Sequence, residues 1–330
     1  MPGYDQYLCW GIETVWGTEV ARTKFAKVYE DTQLMHERPQ QGHEFLGNRD
    51  PDFIFDQIQK GTGNLVIPMT YDAGPEQLLQ AAMGVLVTTG SGPYVHTFTL
   101  DNNPYTRAAA PLIGLSVENH LALPDASFES MLGVGGRVRS MSGSFVTNEE
   151  LKLVLDMVFK RCDLEPVTGT PVFPAYSGVA SSLVKFTQIT VDIDTVTTPV
   201  YSCEFSLNNN LKDDNAELGS AYIRAPRAQG RREITGSLSK EWVNKTLYDK
   251  WIAGAAASIL VTASGPALPT GPGNFVMTWR FENVRFTGEN PKNAETEEQE
   301  NVLPFTAYDD PTFGAMQVVI TNDTEFPLAA

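Results

Sequence analysis

The chain has 330 residues, 42% of them hydrophobic, and a formal net charge of −16. That length suits one large domain or two ordinary ones, and the acidic balance argues against a sequence-reading DNA binder, which needs a basic face. No apolar run approaches the ~20 residues needed to span a bilayer, and Cys9, Cys162 and Cys203 stand far apart with no CxxC pair, so buried reduced thiols are expected rather than a zinc site or a disulfide framework.

In chain order, Met1–Thr23 has no clean period and is interrupted by Gly3, Gly11 and Gly17, so residues 1–24 are expected to form an arm or edge segment. Met1–Trp16 carries Asp5 and Glu13 and no continuous apolar stretch, so no secretory signal is predicted and cytoplasmic synthesis is expected. Phe25–Leu34 is predicted as a strand. Residues 36–61 make a long, polar, turn-rich loop; such loops are usually functional or disordered, and the embedded Phe53, Ile54, Phe55 and Ile58 argue against disorder. A loop that projects onto another subunit would bury them. Leu86–Thr89, Tyr94–Leu100 and Leu112–Val117 are β-type runs. Arg161–Gly178, with Pro166, Gly169, Pro171 and Pro174, is the best linker candidate. Val184–Ile193 and Val200–Leu207 alternate apolar and polar residues, as half-buried strands do. Phe275, Met277, Trp279 and Phe281 alternate strictly, and Val284 and Phe286 continue on shifted parity, which predicts a bulge. Glu289–Asn301 is polar and acidic, and Val302–Tyr308 and Met316–Thr321 are the last predicted strands.

A strand running into a helix is predicted three times. The clearest copy has Glu233–Leu238 as the strand, Asn244 as cap, the apolar face Leu247, Tyr248, Trp251 and Ile252, and Gly254 as C-terminal stop. The second has Leu65–Thr70, Pro75 in the first turn, the face Leu78, Leu79, Ala82 and Met83, and Gly84. The third has Arg139–Val146, Asn148 as cap, and Val154, Leu155, Val158 and Phe159 as the face. Leu115–Leu121 also echoes Phe205–Leu211 at an offset of 90, and Ser142–Phe145 echoes Thr235–Leu238 at an offset of 93. Together these indicate internal repetition.

Constellations for chemistry are sparse. His36, His43, His96 and His120 show no HExxH spacing, and no GxSxG or GxxxxGK[ST] motif occurs. Gly133-Val134-Gly135-Gly136 resembles half of a dinucleotide fingerprint but is better explained as a turn between strands. Arg224, Arg227, Arg231 and Arg232 form the only basic cluster, expected to pair with carboxylates. Glu295, Glu297, Glu298 and Glu300 form an acidic run, either a solvated loop or a negative surface facing DNA. Trp251 and Trp279 are expected in the core, and Trp10 and Trp16, in the irregular arm, at an interface.

Taken in order, several stretches resemble the major tail tube proteins of long-tailed, siphovirus-like bacteriophages. They are Glu13-Thr14-Val15-Trp16-Gly17-Thr18, Gly61-Thr62-Gly63-Asn64-Leu65 running into the helix at 75–83, and His96-Thr97-Phe98-Thr99-Leu100. Leu115-Ser116-Val117-Glu118-Asn119 and Leu303-Pro304-Phe305-Thr306-Ala307-Tyr308-Asp309-Asp310 complete the set. The resemblance implies a mainly β fold, a β-sandwich flanked by a helix with a long loop reaching the next ring, in rings stacked into a hollow tube through which double-stranded DNA passes. The length and repetition imply the duplicated kind: two tandem tail-tube-like β-sandwich domains, each with a flanking short α-helix, at 25–165 and 183–330 with the linker 166–182 between them. Three such chains would give a pseudo-six-fold ring, with hexamers as the alternative. The implied partners are further copies of the chain, the tape measure, tail terminator and baseplate proteins, and DNA that passes without specific binding. No membrane, cofactor, metal or catalytic residue is expected, and the implied location is the virion, after synthesis in the host cytoplasm. The inter-subunit candidates are Trp10, Trp16, Phe53, Ile54, Phe55 and Ile58. On the residues alone two other classes stay open: another tail or virion component (terminator, baseplate or decoration protein), and a carbohydrate-binding or hydrolytic β-sandwich.

Overall fold

The computed structural model describes residues 7–43, 53–71, 75–101, 113–122, 128–166, 183–288 and 300–325. It is mainly β, and its principal strands form one hydrogen-bonded network with three sections. The first section runs, neighbour to neighbour, Lys24–Lys27, Tyr7–Glu13, Gly114–Ala122, the first half of Phe128–Val146, and Arg161–Pro166. The second runs Gln33–Glu37, Lys60–Pro68, Lys152–Phe159, the second half of Phe128–Val146, Ser202–Asn208, Glu233–Glu241 and Glu300–Ala307. The third runs Gly84–Thr89, Tyr94–Leu100, Gln317–Asn322, Asn274–Phe286, Ala257–Ala267 and Ile189–Ile193.

Two long strands join the sections. Phe128–Val146 leaves the first and enters the second through an irregularity between Gly133 and Gly136. Asn274–Phe286 ties the third section to Glu300–Ala307 of the second at its far end. The second and third sections pack face to face as a sandwich. Phe205 from one lies 4.7 Å from Trp279 of the other, centroid to centroid, and Phe145 meets the same indole edge-on. The inner Phe205 ring also roofs Gly143, where an added Cβ would come within 2.4 Å of it. A single cluster of buried apolar residues runs through both halves of the chain, from Leu8 to Ile320.

The internal repetition is visible as a longer unit than the sequence indicates: strand, loop with a small hairpin, strand, helix, hairpin. Its first occurrence is Gln33–Glu37, the pair Gln40–His43 and Phe53–Asp56, Lys60–Pro68, helix α1 (Pro75–Met83), and the hairpin Gly84–Thr89 with Tyr94–Leu100. The second is Ser202–Asn208, the pair Leu211–Lys212 and Arg227–Ala228, Glu233–Glu241, helix α2 (Thr246–Ala253), and the hairpin Ala257–Ala267 with Asn274–Phe286. The registers agree: inward-facing Leu34 stands opposite Gly63, and inward-facing Phe205 opposite Gly236. The blocks Ser142–Phe145 and Thr235–Leu238, matched in sequence, flank Ser202–Asn208 on its two sides, with Gly143 and Gly236 both opposite Phe205.

Several expectations are corrected. Val154, Leu155, Val158 and Phe159 are not a helical face: Lys152–Phe159 is a strand, with Leu153, Leu155 and Met157 buried at a spacing of two. Asn148 adopts a left-handed conformation (φ 69°) in the tight turn before it, rather than capping a helix. The described residues therefore hold two α-helices and one short 3-10 turn at Phe186–Gln188, which interrupts the predicted strand 184–193. Phe25–Leu34 is split into parts of two strands by a turn in which Thr32 N donates to Tyr29 O, and the Thr32 hydroxyl donates to Val66 O and accepts from Val66 N. The arm is not an edge: Tyr7–Glu13 lies between two strands and is buried almost throughout. A boundary at residue 24 would cut the pair Tyr7–Glu13 with Lys24–Lys27. Gly133–Gly136 is not a turn but the place where Phe128–Val146 changes sheet. Gly135 takes φ 73° there, and the Phe159 ring lies where Cβ atoms on Gly133 and Gly136 would sit. The predicted bulge appears as a register shift between Phe281 and Val284. The linker expected from Arg161 starts later than that, because Arg161–Pro166 is a strand paired with the first half of Phe128–Val146; residues 167–182, and residues 289–299 of the acidic stretch, lie outside the described residues.

Candidate assembly surfaces

The motif Glu13–Thr18 acts inside the chain. One Glu13 carboxylate oxygen accepts hydrogen bonds from Ser116 Oγ (2.8 Å) and Gly135 N (2.7 Å), and the other from Gly17 N (2.7 Å). Trp16 Nε1 donates to Gly135 O at 2.9 Å, and its half-buried ring lies near the Lys160 ammonium and the Arg137 guanidinium. The motif thus clamps the first strand to the bend in Phe128–Val146. Arg137 is buried beneath this clamp and donates to Pro226 O. Burial, with the Arg227 charge adding to it and Glu13 opposing, lowers its pKa to about 10.

Of the residues expected at an interface, Trp10 is fully buried in the core and unavailable to a neighbour. The continuous apolar run Tyr7–Trp10 fills both faces of its strand, which is why no period betrayed it. Ile54, Phe55 and Ile58 are exposed, at 64%, 38% and 39%. Gln40–His43 and Phe53–Asp56 pair into a small projecting hairpin, tied at its root by Arg38 with Asp56 and by Gln40 Nε2 donating to Asp56 Oδ1. The Phe53 side chain and residues 44–52 lie outside the described residues. The loop's base is held by the second unit's loop: Gln59 N donates to Ala221 O, and Lys60 Nζ lies 2.8 Å from Asp213.

Among the described residues one cluster has metal-ligand types in reach of each other: Cys9, Glu118 and His120, all buried. Its geometry is that of a buried ion pair. Arg22 lies 2.7 Å from Glu118 Oε2, His120 Nε2 lies 2.9 Å from Oε1, and Tyr7 stacks on the imidazole at 3.7 Å. Burial alone would raise the Glu118 carboxyl, but bonds from His120 and Ser130 and the Arg22 charge outweigh it and hold its pKa at about 2. Burial, with the Glu118 charge, pushes the Cys9 thiol up to about 12, so it stays protonated. A cation would have to displace Arg22 and deprotonate Cys9, so the set does not fit a metal. His96 is likewise structural, buried between Thr88, Asn322 and Thr324. In the basic cluster, Arg224 pairs with Glu217 (2.6 Å), while Arg232 donates to Asn209 Oδ1 and Asp101 O, both uncharged acceptors.

The outer face of the second section is broad and rich in hydroxyls. A shallow groove across it is lined by Ser142, Ser144, Ser206, Thr235, Ser237 and Glu204, with Lys152 and Glu149 paired at one end. Strand edges remain as well. Among the described residues, Gln33–Glu37 pairs only with Lys60–Pro68, and Gly84–Thr89 only with Tyr94–Leu100. Unpaired edges are a template for association with another chain. Nothing in this set of surfaces was recoverable from reactive-residue motifs; only the apolar residues in the polar loop signalled one of them.

No curated protein matches the chain significantly. A family model described as phage tail tube protein matches residues 3–307, nearly the whole chain. No helix among the described residues is long and apolar enough to cross a membrane. The fold is mainly β, and the family match makes this a structural component of the virion tail: the chain belongs to the phage tail tube protein family.

Proposed function

We propose that the chain is the major tail tube subunit, that three copies close a pseudo-six-fold ring from six similar units, and that stacked rings form the conduit for DNA. The observation that carries this reading is the repeated strand–loop–strand–helix–hairpin unit, two per chain in one continuous sheet. A heterologous contact that closes makes rings, and stacked rings make a filament. The alternative of six chains per ring is an outcome of the same experiment. Tape measure, terminator and baseplate proteins are the partners this role calls for.

Charge supports passage without binding. A net charge of −16 and a face of hydroxyls with Glu204 offer few cations to neutralise phosphates, so a polyanion slides rather than sticks. The hairpin Gln40–His43 with Phe53–Asp56 is the element we assign to ring-to-ring contact, with Phe53, Ile54, Phe55 and Ile58 buried on stacking. Trp16 and its exposed neighbour Val15 border a second candidate contact.

Averaged cryo-EM images of assembled particles viewed down the axis test the reading: three-fold rings with six similar lobes are expected, and a stable monomer under all conditions refutes it. Deleting residues 40–56 should leave soluble rings or monomers that do not elongate; normal tubes from that variant would remove the hairpin from the contact.

A further inference from the structure

The two units sit side by side in the second section, and the joint between them is made inside one chain. On one side of the joint stand the second half of Phe128–Val146 and helix α1. On the other stands Ser202–Asn208 with the residues that follow it. The strands pair from Ser140 opposite Asn208 to Val146 opposite Ser202. Asn209 then reaches over, its Nδ2 donating to Ala82 O at the end of α1 (3.0 Å) and to Val138 O (3.1 Å), and its Oδ1 accepting from Arg232. Thus α1 is sealed in part by the second unit, and Leu78, Leu79, Ala82 and Met83 are fully buried.

The outer flanks of the chain carry the same parts without their partners. Gln33–Glu37 is the first unit's counterpart of Ser202–Asn208, aligned by Leu34 with Phe205, which places Arg38 where the second unit has Asn209. Ser202–Asn208 is paired on both sides, but Gln33–Glu37 is paired on one side only among the described residues. At the opposite flank, α2 has no fully buried residue; Ile252 is 63% exposed and nearby Val243 is 69% exposed.

From these we infer that the lateral joint between chains repeats the joint inside the chain: a second copy seats its Gln33–Glu37 edge and Arg38 against the α2 flank of the first. This rests on the ring reading above and assigns its contact. The joint closes the edge's free backbone groups and covers Ile252, while Arg38 keeps its own pair with Asp56 and the C-terminal end of α2 keeps its own cation, Arg285, which donates to Gly254 O.

The test mixes two full-length variants, Ile252→Cys and Arg38→Cys, with a short bis-maleimide. A covalent dimer is expected from the mixture and from neither variant alone. Background is low because Cys9, Cys162 and Cys203 are buried. Ile252→Asp should raise the concentration needed for assembly by roughly tenfold or more, about the effect of 1.4 kcal/mol, with near-ultraviolet circular dichroism unchanged. If wild-type rings form, the mixture gives no cross-link and Ile252→Asp assembles normally, the joint lies elsewhere and the ring reading stands. If the wild-type chain never assembles, the ring reading falls and this joint falls with it.

Discussion

Helices α1 and α2 occupy the same place in two similar units and carry the same four-residue apolar face, yet one is core and the other surface. Around α1 the face Leu78, Leu79, Ala82 and Met83 is fully buried, and the end of the helix is held by Asn209 from the other unit. Around α2, Leu247 and Trp251 pack on the edge of the core, Tyr248 meets Trp242 and Trp251 edge-on, and Ile252 faces outward. The expected cap Asn244 stands one residue before the N-cap, Lys245, its Oδ1 accepting from Thr246 N, and Gly254 closes the helix in the left-handed conformation (φ 60°), so α2 is defined locally by its ends. Local sequence specifies a helix in both places; what covers it is decided by the neighbouring unit.

Four changes probe that difference. Leu79→Ala should cost about 2–5 kcal/mol in chemical denaturation, as a buried leucine does when the site cannot collapse; a cost under ~1 kcal/mol would show α1 to be peripheral. The first half also holds the Glu118 ion pair, which has no described counterpart in the second. Its carboxyl is depressed to about 2 from 4.5, so the unfolded state binds the proton first as pH falls. Its stabilisation is complete above pH 4.5 and is lost towards pH 2, at up to about 1.4 kcal/mol per pH unit. Glu118→Gln should remove that slope from the acid denaturation curve. Asn209→Ala strands the Ala82 carbonyl and removes one of the two acceptors of Arg232, and should cost about 1–3 kcal/mol while leaving the far-ultraviolet spectrum of the remaining strands intact. Ile252→Ala should shift the stability of the isolated chain by no more than ~0.5 kcal/mol.

Much of the fold was legible where one face of a strand is wet. Tyr94–Leu100 and the run beginning at Phe275 alternate because one side meets the core and the other does not, and the structure places strands there. The helix stops Gly84 and Gly254 were legible for the same local reason, a positive φ after the last turn. Strands buried on both faces were not. Tyr7–Glu13 shows no alternation, and at the end of Lys152–Phe159, where Met157, Val158 and Phe159 are all buried, the pattern imitates a helical face. Trp10 is core although its sequence context points to an interface, because a tryptophan outside a visible period looks like an anchor for a partner. The exposed Ile54, Phe55 and Ile58 were legible as apolar residues in a polar loop. The exposed side of α2 was not, since its sequence pattern matches that of a helix that is wholly enclosed.

The three cysteines have a consequence for a particle that is built in a reducing cell and then persists outside it. Cys9, Cys162 and Cys203 are all enclosed, and burial, helped by a nearby carboxylate in each case, pushes each thiol up to about 12. Oxidation proceeds through the thiolate, and at neutral pH almost none is present. Cys9, Cys162 and Cys203 are therefore expected to stay reduced when the tail leaves the cell in which it was assembled.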